Sequence, residues 1–161
     1  MKMNIKRWWF RLYSKMVSEK ATPQYIARGW AIGMFYGCLI PFGFQLILSI
    51  PSSFLLKGSK IGATLGTLIT NHFTIFIIYP VQCFVGNRII GGSISYSMVK
   101  QAVADLLKKQ EYSAFVDMGI ELTVSFFVGG ALLAAIMTPL TYFVVKTLVT
   151  SRQNRKKTVS K

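Results

Sequence analysis

The side chains able to do chemistry in this chain of 161 residues are few, and those set among apolar neighbours are neutral. Gln45, Asn71, His72 and Thr74 stand inside long apolar runs, and His72 is the sole histidine. Those runs contain no Asp, Glu, Lys or Arg, so they offer no ionised pair for general acid–base work. No Ser-His-Asp, HExxH, P-loop or GxGxxG pattern occurs. Cys38 and Cys83 lack CxxC spacing and read as free, buried small hydrophobes rather than a disulfide or metal pair. Glu111, Asp117 and Glu121 read as a solvated acidic rim, because metal ligands would converge at fixed spacing. The expectation is no catalytic residue, no metal, no cofactor and no enzyme.

What is left is a neutral polar set in an apolar setting. A primary amide or imidazole in hydrocarbon costs on the order of a few kcal/mol unless it is hydrogen-bonded. Gln45 and Asn71 must therefore find partners. On one account they stitch together backbone exposed by helix breaks, with His72 a satisfied core residue. On the other, free backbone N–H groups at half-helix ends join Gln45, Asn71, His72 and Thr74 in a mid-membrane polar site suited to an anionic headgroup.

The elements that must position these residues are written in the composition. The chain is 52% hydrophobic and 15% charged, with 19 Lys and Arg against 5 Asp and Glu. Residues 29–56, 61–87 and 122–145 carry no charge, and each is long enough to cross a hydrocarbon core of about 30 Å. The expected fold is all-α: a small polytopic membrane protein, with a membrane domain over 21–149 and no second domain. The formal charge of +14 concentrates near the two ends. Nucleic acid is excluded, since no soluble basic module is present. Anionic membrane lipids are the expected partner.

Residues 1–20 place Ile5, Trp8, Trp9, Leu12, Met16 and Val17 on one helical face, with Lys6, Arg7, Arg11 and Lys15 elsewhere, as in a basic interfacial helix. Thr22 and Pro23 then cap and open the next helix. Residues 95–112 form a second amphipathic helix, and 150–161 a basic, disordered tail.

Residues 29–56 would make a helix of roughly 42 Å, and Pro41-Phe42-Gly43 breaks it at the middle. A re-entrant or Pro-broken hairpin follows. Two basic ends on the cytoplasmic side require an even number of crossings, so one of three apolar runs turns back. If it is the first, Lys57 and Lys60 stay on the basic side and the second run crosses outward. The competing arrangement turns the second run back around Asn71-His72 and Pro80, and hairpins in both runs form a third. Gly29, Gly33 and Gly37 repeat at four-residue spacing, as do Gly62, Gly66 and Thr70, which marks helix-packing faces or a homo-oligomer contact.

Pro23-Gln24-Tyr25-Ile26-Ala27-Arg28-Gly29-Trp30-Ala31-Ile32-Gly33-Met34-Phe35, Pro41-Phe42-Gly43-Phe44-Gln45 and Asn71-His72-Phe73-Thr74 together resemble the bacterial membrane family known as domain of unknown function 2062. The likeness covers about residues 20–146. It departs at His72, where the family pattern has proline, so the second break is expected to be weaker. The resemblance implies a bacterial inner (cytoplasmic) membrane location and a partner in envelope glycan or lipid-carrier metabolism. Two functions are then expected. One is transport or flipping of an anionic amphiphile such as a polyprenyl phosphate, with Arg28 and Arg88 attracting the headgroup. The alternative is a non-catalytic membrane scaffold for envelope biosynthesis.

Overall fold

A computed structural model describes residues 21–68, 70, 74–92, 96–97 and 119–159, and the described elements are all helical. Asn71, His72, the helix expected over 1–20 and nearly all of that expected over 95–112 lie outside the described residues.

The elements described in full are, in order, α1 Pro23–Leu39, α2 Gln45–Leu55, α3 Lys60–Thr67, α4 Ile75–Ile90 and α5 Gly119–Val159. Helix α1 starts where its sequence says it should. Thr22 Oγ1 accepts from Tyr25 N at 3.3 Å, and Pro23, which has no N–H to leave orphaned, takes the first position. It stops at Ile40, ahead of Pro41. Phe44 N then donates to Pro41 O at 3.3 Å, and Gly43 takes φ +103°, which the third position of such a turn demands of a glycine.

The chain doubles back at this turn. Tyr36 and Ser52 share a hydroxyl–hydroxyl hydrogen bond of 2.8 Å, and Arg28 Nη1 donates to Leu56 O at 3.4 Å, so α2 runs antiparallel to α1. A second reversal at Lys57 (φ +50°) and Gly58 leads into α3, whose cap Ser59 accepts from Gly62 N at 2.9 Å. Helix α3 runs parallel to α1, with the two glycine ridges face to face. A Cβ on Gly29 would strike the Ser59 carbonyl, one on Gly33 the Ala63 carbonyl, and one on Gly66 would lie 2.6 Å from Trp30 O. These ridges are therefore used within the chain, backbone against backbone.

Helix α5 is the spine. Its 41 residues make a rod of about 60 Å. The half nearer Val159 packs antiparallel to α1: Val145 and Val149 meet Ile26 and Ala27, while Ala134 meets Met34 and Cys38. The half nearer Gly119 packs antiparallel to α4, where Gly86 and Gly129 let the backbones touch. Helix α1 thus lies along one half of the spine, with α2 and α3 packed on α1, and α4 lies along the other half.

The three apolar runs map unevenly onto these elements. Residues 29–56 divide into α1 and α2. Residues 61–87, expected as one crossing in the first arrangement, also divide, into α3 and α4. Pro80 is not the break: α4 runs straight through it, as α5 runs through Pro139. A proline removes one donor from a helix, and neighbouring groups in a packed bundle absorb that loss. Residues 122–145 lie wholly in α5. Among the described residues, Gly119–Arg155 is the one helix long and apolar enough to cross a membrane. The tail expected to be disordered is helical as far as Val159, and Gln153 Nε2 donates to Ala21 O at 2.9 Å.

Candidate functional site

Helix α2 carries its polarity on the inside. Gln45, Ser49 and Ser53, at i, i+4 and i+8, are 3%, 0% and 0% exposed, whereas Ile47 and Leu55 are 65% and 83% exposed. Phe54 and Leu56 are exposed as well. A helix facing water arranges these classes the other way round.

The polar row ends at Gln45, the first residue of α2. Thr70 Oγ1 donates to Gln45 Oε1 at 2.9 Å, with Thr67 O at 3.0 Å as its other acceptor, and Gln45 Nε2 donates to Thr70 O at 3.4 Å. The two chain breaks therefore meet, Gln45 bringing one and Thr70 the other. A further tie fixes them to α4: Phe42 N donates to Tyr79 Oη at 2.8 Å, and the Tyr79 ring stands edge-on to Phe126 of α5. Thr74, at the start of α4, gives its carbonyl to Ile77 N and Ile78 N. Of the sequence-derived set, the structure joins Gln45 to the α3–α4 break and leaves Asn71 and His72 undescribed.

Along the spine this junction sits near the midpoint. Cys38, three residues before Pro41, belongs with Met34 to a cluster that includes Ala134 and is packed by Leu133 and Met137, close to the centre of 122–145. Arg28 and Arg88, expected to attract a headgroup near the interfaces, belong to opposite ends. Arg28 lies one residue from Ala27, which packs with Val145 and Val149, and Arg88 follows Asn87, which Ser125 contacts at 3.3 Å.

Sequence reasoning missed a second polar group between α4 and α5. Gln82 Nε2 donates to Phe126 O at 2.9 Å, while Gln82 Oε1 is buried without a partner among the described residues. Gly130 makes room for this amide: a Cβ there would lie 2.5 Å from Gln82 Nε2 and 2.9 Å from Cys38 O. Asn87 and Ser125 continue the row toward Glu121, whose carbonyl accepts from Ser125 Oγ at 2.7 Å. The available signal was Ser125-x-x-x-Gly129, a small-residue repeat of the kind that seats helix crossings. Among the described residues no group of three His, Cys, Asp or Glu side chains could hold a metal.

The model of the bacterial family described as "uncharacterized protein conserved in bacteria", domain of unknown function 2062, matches residues 6–158. No curated protein and no solved structure matches the chain.

Proposed function

The chain belongs to the bacterial family of domain of unknown function 2062, and we propose that it is an inner-membrane protein that binds an anionic amphiphile, such as a polyprenyl phosphate, and moves it between leaflets. The observation that carries this reading is the inverted helix α2, polar toward its neighbours, apolar toward its surroundings and ending at half the height of the spine.

The membrane placement follows from depth. Residues 122–145, between Glu121 and Lys146, span about 36 Å of helix, which suits a core of about 30 Å with modest tilt. With α5 set across the bilayer, α1 and α2 dip to mid-depth and return, α3 descends to the same level, α4 continues to the far face and α5 comes back. Arg28, Lys57, Lys60 and Lys146 then share one interface, and the positive-inside rule makes that side cytoplasmic, along with both chain ends. The far interface receives Arg88 and Glu121. Broken helices that meet at the midplane are how membrane transporters present backbone and amide groups to a polar solute.

A second reading, a non-catalytic scaffold for envelope biosynthesis, is favoured by one specific observation: Gln45 is buried and satisfied by Thr70. The two readings separate in proteoliposomes loaded with a fluorescent polyprenyl-phosphate analogue. Transport predicts translocation above that of empty vesicles, slowed by Gln45→Ala. Rates equal to empty vesicles remove transport and leave the scaffold.

A further inference from the structure

We propose that the reversal between α2 and α3 is a docking site for a single lipid with a phosphomonoester head, held by Arg28, Lys57 and Lys60. The site rests on the membrane placement above and specifies where the amphiphile is first captured.

Three cations gather at one turn. Arg28 reaches the Leu56 carbonyl with Nη1 at 3.4 Å and the Gln24 carbonyl with Nε at 3.4 Å, which holds its guanidinium against the turn. Lys57 is the next residue after that carbonyl. Lys60, the first residue of α3, places Nζ 3.6 Å above the centre of the Phe54 ring. The turn itself is rigid: Gly58 N donates to Ser53 O at 2.8 Å and Ser59 N to Tyr25 O at 3.0 Å. Gly58 leaves no slack, since a Cβ on it would lie 2.9 Å from Gly29 N.

Nothing described neutralises these charges. Among the described residues the one Asp or Glu is Glu121, in the first turn of α5, whereas α1 begins against the other end of that helix. All three cations are exposed, and they adjoin the exposed side chains of Phe54, Leu55 and Leu56. Cations beside a lipid-facing apolar strip complement an amphiphile in both parts: head on the cations, chain along the strip.

Charge selects the head. A phosphomonoester carries about −1.5 to −2 at neutral pH, against one negative charge for a diester, and so is the better match for three cations without an acidic partner among the described residues. With Nε and Nη1 donating to backbone carbonyls, Arg28 has its Nη2 donors to offer a phosphate oxygen, and the lysines add point charges that favour the second ionisation.

The test uses the full chain in nanodiscs of phosphatidylcholine, with spin-labelled phosphatidic acid as the probe and labelled phosphatidylglycerol and phosphatidylcholine as comparisons. Phosphatidic acid is expected to bind in preference to both. The double variant Lys57→Asn, Lys60→Gln is expected to lose about 25-fold in affinity, on about fivefold for each cation. Asn is chosen at position 57 because it tolerates the left-handed backbone there. Matching thermal unfolding of the parent and the double variant shows that the double variant is folded. Equal binding of phosphatidic acid and phosphatidylglycerol, or unchanged binding by a folded double variant, overturns the proposal. Displacement of the probe by millimolar inorganic phosphate also overturns it, because the site would then take free phosphate. Selective lipid binding without translocation in proteoliposomes would end the transport reading and leave this site standing.

Discussion

Two exposed positions on α2 test the membrane placement through a difference in depth. Ile47 and Leu55 are both largely exposed and lie eight residues apart, about 12 Å along the helix axis. In the proposed placement Ile47 is next to the mid-depth junction, whereas Leu55 adjoins Leu56, whose carbonyl accepts from Arg28 and which that placement puts at the cytoplasmic interface. Half of a 30 Å core is about 15 Å, so this separation carries a side chain from near the midplane almost to the headgroups. Ile47→Asp is therefore expected to cost about 2.5–3.5 kcal/mol, the insertion cost of an aspartate at the centre of a membrane helix. Leu55→Asp should cost less than about 1 kcal/mol. In water the two would be alike, because neither side chain is buried and an exposed substitution usually stays within about 0.5 kcal/mol. The assay is reversible unfolding of the protein in lipid vesicles, where about 3 kcal/mol is more than a hundredfold in the folded-to-unfolded ratio. Equal costs at the two positions, whether both small or both large, would refute the depth assignment and the hairpin that depends on it.

At the α4–α5 crossing, a Cβ on Gly129 would meet the Gln82 carbonyl and lie 3.1 Å from Gly86 N, so Gly129→Ala should force the backbones apart. Overpacking of this kind typically costs about 1–3 kcal/mol, read as a lowered unfolding midpoint; a midpoint equal to the parent's would mean the helices do not touch there. Gln45→Leu should cost about 1 kcal/mol or less in stability, because Thr70 keeps Thr67 O as an acceptor and interhelical hydrogen bonds in membranes average about 0.6 kcal/mol. A loss above 3 kcal/mol in the same unfolding assay would show that Gln45 has partners beyond Thr70. A cysteine at Lys60 should react with an impermeant maleimide from the cytoplasmic side and one at Arg88 from the other, with native Cys38 and Cys83 buried and silent. Labelling of both from one side would overturn the topology.

Much of this arrangement could be read from local chemistry. Thr22-Pro23 starts a helix and Pro41-Phe42-Gly43 ends one for reasons contained within a few residues, and the ridges Gly29-Gly33-Gly37 and Gly62-Gly66 pack as their spacing requires. The second break was legible only in part: of the two places suggested for it, the interval between α3 and α4 contains Asn71-His72, whereas Pro80 lies within α4. Gln82, Asn87 and Ser125 escaped notice because an apolar run is recognised by its lack of charge, and neutral amides do not interrupt it. Their roles depend on which helix faces them, a tertiary fact. The tail failed for a related reason: Lys, Arg and Gln favour disorder in isolation but are also good helix formers, and α5 extends through them once Gln153 is anchored on Ala21.

The satisfied state of Gln45 bears on both functional readings through the strength with which α2 is held. Among the described residues its polar ties to the neighbouring helices and their loops include the Gln45–Thr70 pair, Tyr36 with Ser52, and Arg28 with the Leu56 carbonyl. At about 0.6 kcal/mol each in a membrane they contribute about 2 kcal/mol together. Hydrophobic burial adds little in lipid, because the outer face of α2 stays apolar wherever the helix moves, and the inner face is mainly hydroxyl and amide. A displaced α2 would thus expose the Gln45–Ser49–Ser53 row to a solute at modest cost, directly below the cations of the α2–α3 turn. A scaffold gains nothing from a weakly held helix that is polar inside and apolar outside. An element that must admit a charged headgroup while remaining soluble in lipid requires that distribution, and a disulfide locking Tyr36→Cys to Ser52→Cys should abolish translocation, restored on reduction, if α2 is the part that moves. Translocation unaffected by the lock would exclude α2 as the moving element.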